Sequence, residues 1–471
     1  MQPFTFAYPT SGNRPCLLSS IKGFAAHAAR YGHHPSILVS VDAPLTGTMG
    51  RQLPELLAHI EQHYGFSTRL FDLENREEIY RKLEPVASRD LLEYALLRPA
   101  NGPGWGCNVN VSMLLSAGGF LLSTDDDILC RPAIPVGTTY TDRVVAHDSS
   151  TPSLMRYYRN REELLRSVTP MEIDLVAAYL ALLGKKAGEL LAEIPDEMTP
   201  EDKVYLVSPG TYGDTAMGNS VNTVILEGAS RQRLHEEGYE QLRLSRNLVR
   251  IATAPTVTKG LTFMATQFAA DNRTPLPPFM TYGRNIDGAA ATALRILYPK
   301  SLNGHLGAGL YHNPPVERIA VEADLSTPKR ALSELMMALM MGSIPPAEMS
   351  NTSERFAHMG QCLQEVASLA TGKFVEITHE MVSRLQYPKY LNLLEMKEQH
   401  AGESPRWDRD MEQLLLNMEE TFREPMSLFD TQGCGLPPAK AQWHLAMYGQ
   451  LLEAWPKMHR AMSVSATKKC K

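Results

Sequence analysis

Short apolar runs alternate with longer stretches of helical apolar spacing through the first 145 residues. Phe4-Thr5-Phe6-Ala7-Tyr8 predicts a strand stopped by Pro9-Thr10, and Ser36-Ile37-Leu38-Val39-Ser40-Val41 predicts a buried strand ending at Asp42. Between them, residues 16–31 place apolar side chains at the three- and four-residue steps of an amphipathic helix. A helix over 48–64 and a strand over 68–71 follow. Further on, an apolar helical stretch at 109–117 is stopped by Gly118-Gly119, and the short run Phe120-Leu121-Leu122 leads into Asp125-Asp126-Asp127. Such βαβ alternation demands right-handed crossovers onto a mostly parallel sheet, which defines an α/β fold. The strand ends after Tyr8, Val41 and Leu122 then converge at one edge, where open α/β sheets bind ligands.

The pattern changes twice along the chain. Over 142–320 it is less regular: a strand at 143–146, helices within 170–191, a loop at Ser208-Pro209-Gly210-Thr211-Tyr212-Gly213-Asp214 and a helix over 230–248. From 325 onward it becomes helical, with amphipathic stretches at 330–341, 353–371, 376–385, 408–423 and 439–462. Three units follow, an α/β half (1–145), a less regular half (146–325) and an α-helical C-terminal domain (326–471). Met336-Met337 and Met340-Met341 form a stripe that suits an adaptable core seam.

Composition narrows the function. The 471 residues are 44% hydrophobic and 21% charged with a net charge of −6, which offers no basic field for a nucleic-acid backbone. The six cysteines are dispersed without a C-x-x-C pair, as in a reducing compartment. No stretch approaches a membrane span and the amino terminus lacks a signal-peptide pattern, so a cytoplasmic location is expected.

Three carboxylates at a strand end want a cation, although a solvated acidic turn is the plain alternative for any acidic triplet. If the segment stays extended, Asp125 and Asp127 point the same way and Asp126 the other.

The surrounding residues decide between the two. Phe6-Ala7-Tyr8-Pro9-Thr10-Ser11-Gly12-Asn13-Arg14-Pro15 resembles the opening strand and loop of nucleotide-sugar glycosyltransferases of the GT-A fold, family two in particular. Ser40-Val41-Asp42 resembles their second-strand acid, Gly106-Cys107-Asn108 their small-x-Asn helix start, and Thr124-Asp125-Asp126-Asp127 their DxD motif. The resemblance covers 1–130 plainly and 275–315 loosely. It implies Mn²⁺ or Mg²⁺ held by Asp125 and Asp127 against a nucleotide diphosphate, as hard oxygen ligands require. It also implies substrate contacts from Pro9, Thr10, Arg14, Asp42, Asn108 and Asp126.

Two later segments extend it. Arg284-Asn285-Ile286-Asp287 resembles the acceptor-side segment that carries the family's general base, with Ile286 where an acid is common. The base role therefore falls to Asp287, with Arg284 and Asn285 as substrate contacts, although an acid before the helical run at 289–297 also serves as a plain cap. His312 ends a strand-like run before Asn313-Pro314, where metal-dependent members place a late histidine; it is the third ligand expected, with His305 behind it.

The expected activity is transfer of a sugar from a nucleotide-diphosphate sugar to an acceptor hydroxyl or thiol, with inversion if Asp287 is the base. The acceptor is left open among peptide, natural product and glycan, and self-association through the helical domain is open too. Two competitors remain: a diverged binder of nucleotide sugar or of a partner that does no chemistry, which Ile286 keeps alive, and a sugar-phosphate nucleotidyltransferase.

Overall fold

The computed structural model describes residues 4–97, 104–147, 153–215, 220–260, 263–316, 318, 332–429 and 435–469. Its strands are β1 (Phe4–Thr10), β2 (Ser36–Val41), β3 (Ser67–Phe71), β4 (Phe120–Thr124), β5 (Ile128–Pro135), β6 (Val145–Ala146), β7 (Met155–Tyr158), β8 (Val168–Pro170), β9 (Lys203–Asp214), β10 (Asn247–Arg250), β11 (Thr256–Thr258), β12 (Gln267–Asp271) and β13 (Ser301–His312). They join in one sheet along the path β3-β2-β1-β4-β12-β9-β13-β11-β6, with β10 and β7 branching from β9, and β5 and β8 from β13.

The half β3-β2-β1-β4 is parallel throughout, as the βαβ pattern requires. Period-two alternation sends Phe6 and Tyr8 to one face of β1 and Ala7 to the other. The first face is covered by the helices Cys16–Arg30, Met49–Tyr64 and Leu175–Leu182. The second is covered by Arg76–Leu83, Arg89–Leu96, Trp105–Leu115 and Ile286–Leu297, and by the C-terminal helices packed in the same core. Beyond β4 the sheet is mixed: β12 runs antiparallel to both β4 and β9, while β13 runs parallel to β9.

The glycine-rich segment at 208–214 is not a loop but the end of β9. Its glycines permit close approach: a Cβ on Gly213 (φ 126°) would lie 2.1 Å from the His312 carbonyl oxygen. The turn-like composition thus marks the place where β13 presses against β9. The helix expected over 230–248 is also broken, into Gly228–Glu237 and Tyr239–Leu242, by Gly238 at φ 108°.

The C-terminal helices Leu332–Gly342, Thr352–Ala367, Thr371–Gln399, Pro405–Arg423 and Pro438–Lys469 follow the amphipathic pattern, and Met336 and Met340 are fully buried in the shared core. The boundary expected at 325–326 lies outside the described residues. The last helix splints the segment leading to Asp287. Its His459 Nε2 lies 3.0 Å from the Asn272 carbonyl, Trp455 Nε1 donates to Leu276 O at 2.6 Å, Tyr448 Oη donates to Pro278 O at 2.9 Å, and His444 packs on Tyr282 at 4.7 Å between ring centroids. Those four positions repeat at helical spacing on one face.

From the other side Asn110 exchanges two hydrogen bonds with the Phe279 backbone, at 2.7 and 2.9 Å, and a Cβ on Gly106 would lie 1.8 Å from Met280 O. Gly106→Ala is therefore expected to push this segment away and to cost about 1–3 kcal/mol, read as a lower denaturant midpoint.

Candidate functional site at the ends of strands β1, β2, β4 and β13

The helix Trp105–Leu115 sets its first turn over the carboxyl ends of β1 and β2. Asn108, buried, donates Nδ2 to Thr10 O (3.1 Å) and Ser40 O (2.6 Å) and accepts the Ser40 hydroxyl at Oδ1. Asn108 therefore fixes the spacing of Thr10 and Asp42 rather than facing open cleft. Its amide thus supplies donors to both strand ends and an acceptor to the Ser40 hydroxyl. The Asp42 amide in turn donates to Thr10 O at 3.1 Å. Behind Asp42 lies a residue the sequence did not single out: Arg76, 2% exposed, with Nε and Nη1 unpartnered and Asp42 among the charges acting on it.

Thr10 reaches across to the triplet, its hydroxyl donating to Asp126 Oδ2 at 2.5 Å. Burial raises the Asp126 pKa, with Asp127 acting the same way and the Thr10 bond and Arg14 opposing. Arg14 is exposed but lies near enough to act on Asp126, and Pro9 is half-buried on β1. Cys16, at the start of its helix, feels the same acids: burial, then Asp126 and Asp127, push its thiol up to about 11.

Asp127 has partners from the far end of the chain. His312 Nε2 lies 2.9 Å from Oδ1, Arg318 Nη2 lies 3.2 Å from Oδ2, and the Asn313 amide donates to the Asp127 carbonyl at 2.8 Å. Burial pulls the Asp127 pKa upward, but the His312 bond and the His312 and Arg318 charges outweigh it and leave the carboxyl below its ordinary value. Arg318 is a second residue the sequence did not mark. Its backbone N–H donates to Asp214 Oδ2 at 3.1 Å, and Arg246 Nε binds Asp214 Oδ1 at 2.7 Å. His305, the reserve ligand, lines a different cavity with Arg250, Ser208 and Met264.

Asp125 is the unneutralised member. Among the described residues no hydrogen bond or ion pair meets its carboxylate, and burial, then Asp127, Asp126 and Asp287, raise its pKa well above the ordinary carboxylate range. It keeps partial contact with solvent, as a group on a cleft floor does.

Its backbone amide donates to Thr266 O at 2.8 Å, and the neighbouring Ala265 amide donates to Asp287 Oδ2 at 3.4 Å. One residue step of the strand approach thus separates the anchors of Asp125 and Asp287. Asp287 lies inside the first turn of the helix Ile286–Leu297, while the cap position belongs to Asn285 at φ 56°. Burial raises the Asp287 pKa against the opposing Ala265 and Gly288 amides. Ile286 turns into the core, 7% exposed, whereas Arg284 and Asn285 are exposed, with Arg284 lying over the Trp105 ring at 5.7 Å.

Two hard carboxylates, one of them without a direct hydrogen-bond partner and opposed in its upward shift only by the Arg318 charge, suit a divalent cation that keeps water or phosphate oxygens as its remaining ligands. Among the described residues no three His, Cys, Asp or Glu side chains form a ready-made metal cage.

No family model matches the chain, and no curated protein matches it. Two solved structures overlay on it loosely. S. aureus TarS 1-349 is 12% identical and S. aureus TarS 1-349 in complex with UDP-GlcNAc 11%, each overlay covering 89% of this chain and 91% of that one, at TM-scores of 0.30 and 0.33. Overlaps this loose decide neither family nor chemistry, so function rests on the site's own groups. Among the described residues no helix is long and apolar enough to cross a membrane.

Proposed function

We propose that this chain is a glycosyltransferase that moves a sugar from a nucleotide-diphosphate donor to an acceptor hydroxyl or thiol with inversion. The observation that supports it most is the adjacency of Ala265 and Thr266, whose backbone groups anchor Asp287 and Asp125 near one another from distant parts of the chain. A cation-seeking pair and a separate buried carboxylate, with a sugar ring between them, are what this reaction needs.

Thr10, Asp42 and Arg76 would hold the nucleoside, and Arg14 and Arg318 the diphosphate, through charge-assisted hydrogen bonds. Asp125 and Asp127 would hold Mn²⁺ or Mg²⁺, with His312 as their third group; the ion, when bound, neutralises the departing diphosphate. Asp126, bonded to Thr10, is the group left for the donor ribose or sugar. Asp287 would take the acceptor proton as the acceptor oxygen or sulfur forms its bond to the anomeric carbon and the bond to the diphosphate oxygen breaks. Arg284 and Asn285 border the acceptor's approach.

The sign of the pH dependence follows from Asp287. Its carboxyl titrates above the ordinary carboxylate range because it is buried, and only the ionised form accepts a proton. Turnover is expected to rise with pH through that raised pKa, and the limb is expected to vanish in Asp287→Asn. A kcat profile with no acidic limb would remove Asp287 from the rate equation.

The proposal as a whole is tested by chromatographic detection of nucleoside diphosphate from a panel of nucleotide sugars, with and without acceptor mixtures. Acceptor-stimulated release is expected. Binding without release under every condition favours a diverged binder, and pyrophosphate-dependent nucleotide formation favours a nucleotidyltransferase.

A further inference from the structure

Asn285 alone among the described non-glycine residues holds a positive φ, 56°. A left-handed backbone is unfavourable for a residue with a Cβ, and Asn is one of the few that visit it. Such a conformation persists only where its surroundings over-determine it, and such positions gather at functional sites. The segment leading to Asp287 is held at each step. Gly283 takes φ 95°, the hydroxyl of buried Ser333 donates to the Arg284 carbonyl at 2.7 Å, and Ile286 is plugged into the core. The helix Ile286–Leu297 starts directly after the turn, with the Ala289 amide donating to the Asn285 carbonyl at 3.2 Å.

An ordinary helix cap has extended backbone and turns its side-chain oxygen onto the amides of the first turn. Asn285 does neither. Its side chain makes no capping bond and lies across Gly288, where a Cβ would sit 2.5 Å from Asn285 Oδ1. The Gly288 amide donates instead to Asp287 Oδ1 at 3.1 Å, while Asp287 Oδ2 accepts from Ala265 at 3.4 Å. Successive helical residues point roughly 100° apart, so with Ile286 in the core Asp287 falls to the side that meets Ala265.

We propose that Asn285 is a positioning residue for the transfer reaction proposed above, on which this inference rests. Its left-handed turn rolls the start of the helix so that Ile286 anchors in the core and the carboxylate at Asp287, rather than any side chain at 286, faces the acceptor oxygen. The roll accounts for an apolar residue at the place where the resemblance has an acid. Asn285 acts through its backbone, and its side-chain amide is not a substrate contact.

The test measures acceptor-stimulated release of nucleoside diphosphate by Asn285→Gly, Asn285→Ala and Ser333→Ala, beside calorimetry with UDP, GDP and Mn²⁺ and a thermal melt. The first two variants both delete the amide, but only glycine takes positive φ freely. Asn285→Ala is expected to lower kcat about thirtyfold and Asn285→Gly about threefold, because a small displacement of a reacting group costs up to roughly a hundredfold. Ser333→Ala, which frees the Arg284 carbonyl from the other side, is expected to lower kcat about fivefold. Nucleotide affinity is expected to stay near wild type in all three. Equal losses in Asn285→Gly and Asn285→Ala make the side chain a contact and overturn the inference. So does a lower melting temperature in Asn285→Ala with kcat kept, which makes the turn structural only. If Asn285→Ala does not fold, Ser333→Ala decides alone, and wild-type kcat in it overturns the inference. If wild type binds no nucleotide or releases none, the glycosyltransferase assignment fails and takes the inference with it, whereas the earlier outcomes fail only the inference.

Discussion

Asp287→Asn is expected to lower turnover by roughly two to four orders of magnitude while leaving metal-dependent nucleotide binding near wild type. The asymmetry comes from position. Asp287 is anchored by Ala265 and Gly288 amides, at 3.4 and 3.1 Å, and makes no hydrogen bond to the Asp triplet; its charge reaches Asp125 only by repulsion, so its loss favours the ionised, cation-binding form of Asp125 rather than weakening the donor side. The amide oxygen of Asn can accept the same two backbone bonds. Removing a buried charge from the first turn of the helix Ile286–Leu297 forfeits a favourable dipole term of about 0.3–1 kcal/mol but also removes a desolvation cost. The fold is therefore expected to survive, and circular dichroism with a thermal melt checks it. A variant with full turnover makes Asp287 a helix-terminus carboxylate only; one that has lost nucleotide binding as well places it on the donor side and undoes the base assignment.

Asp127→Asn is expected to weaken Mn²⁺-dependent binding of a nucleoside diphosphate by roughly a hundredfold or more. Asp127 meets both the His312 imidazole and the Arg318 guanidinium, so the substitution removes the charge that both groups face. The neutral amide still reaches His312 Nε2, and the local backbone should hold through the Asn313 amide bond to the Asp127 carbonyl. Calorimetry in Mn²⁺ and in excess chelator gives the comparison. Equal affinity of variant and wild type would show that the triplet is an acidic turn with ion pairs and nothing more.

What could be read from the sequence, and what could not, divides along sequence distance. The strands β1, β2 and β4 and their helices were legible because each carries its own period and its own stop: Pro9-Thr10, Asp42, Gly118-Gly119. Asp42 and the triplet Asp125-Asp126-Asp127 could be placed because they directly follow β2 and β4. His312 and Asp287 came from resemblance alone, since nothing local says that residues so far apart meet at Asp127 or at Ala265–Thr266.

Arg76 and Arg318 were missed because an arginine in a helix or loop gives no pattern of its own. Only burial with unpartnered nitrogens, or a contact to Asp127, singles them out. The segment 208–214 misled for a physical reason. Its glycines look like a turn, yet Gly213 lets β9 pass close to His312 of β13 and Gly210 lets it pass close to Arg250 and Ile251, and a single sequence cannot distinguish a glycine needed for positive φ in a turn from one needed for close packing in a strand. The C-terminal helices were legible as helices, but not their work as a splint for 272–284, which depends on contacts such as Trp455 to Leu276.

The most direct measurement of the central claim is a titration of wild-type protein with a set of nucleoside diphosphates, in Mn²⁺ and in excess chelator. At least one nucleotide is expected to bind in the micromolar range with the ion and at least about tenfold more weakly without it, as two carboxylates facing a diphosphate require. Failure of every nucleoside diphosphate to bind at millimolar concentration with Mn²⁺ present would contradict the account.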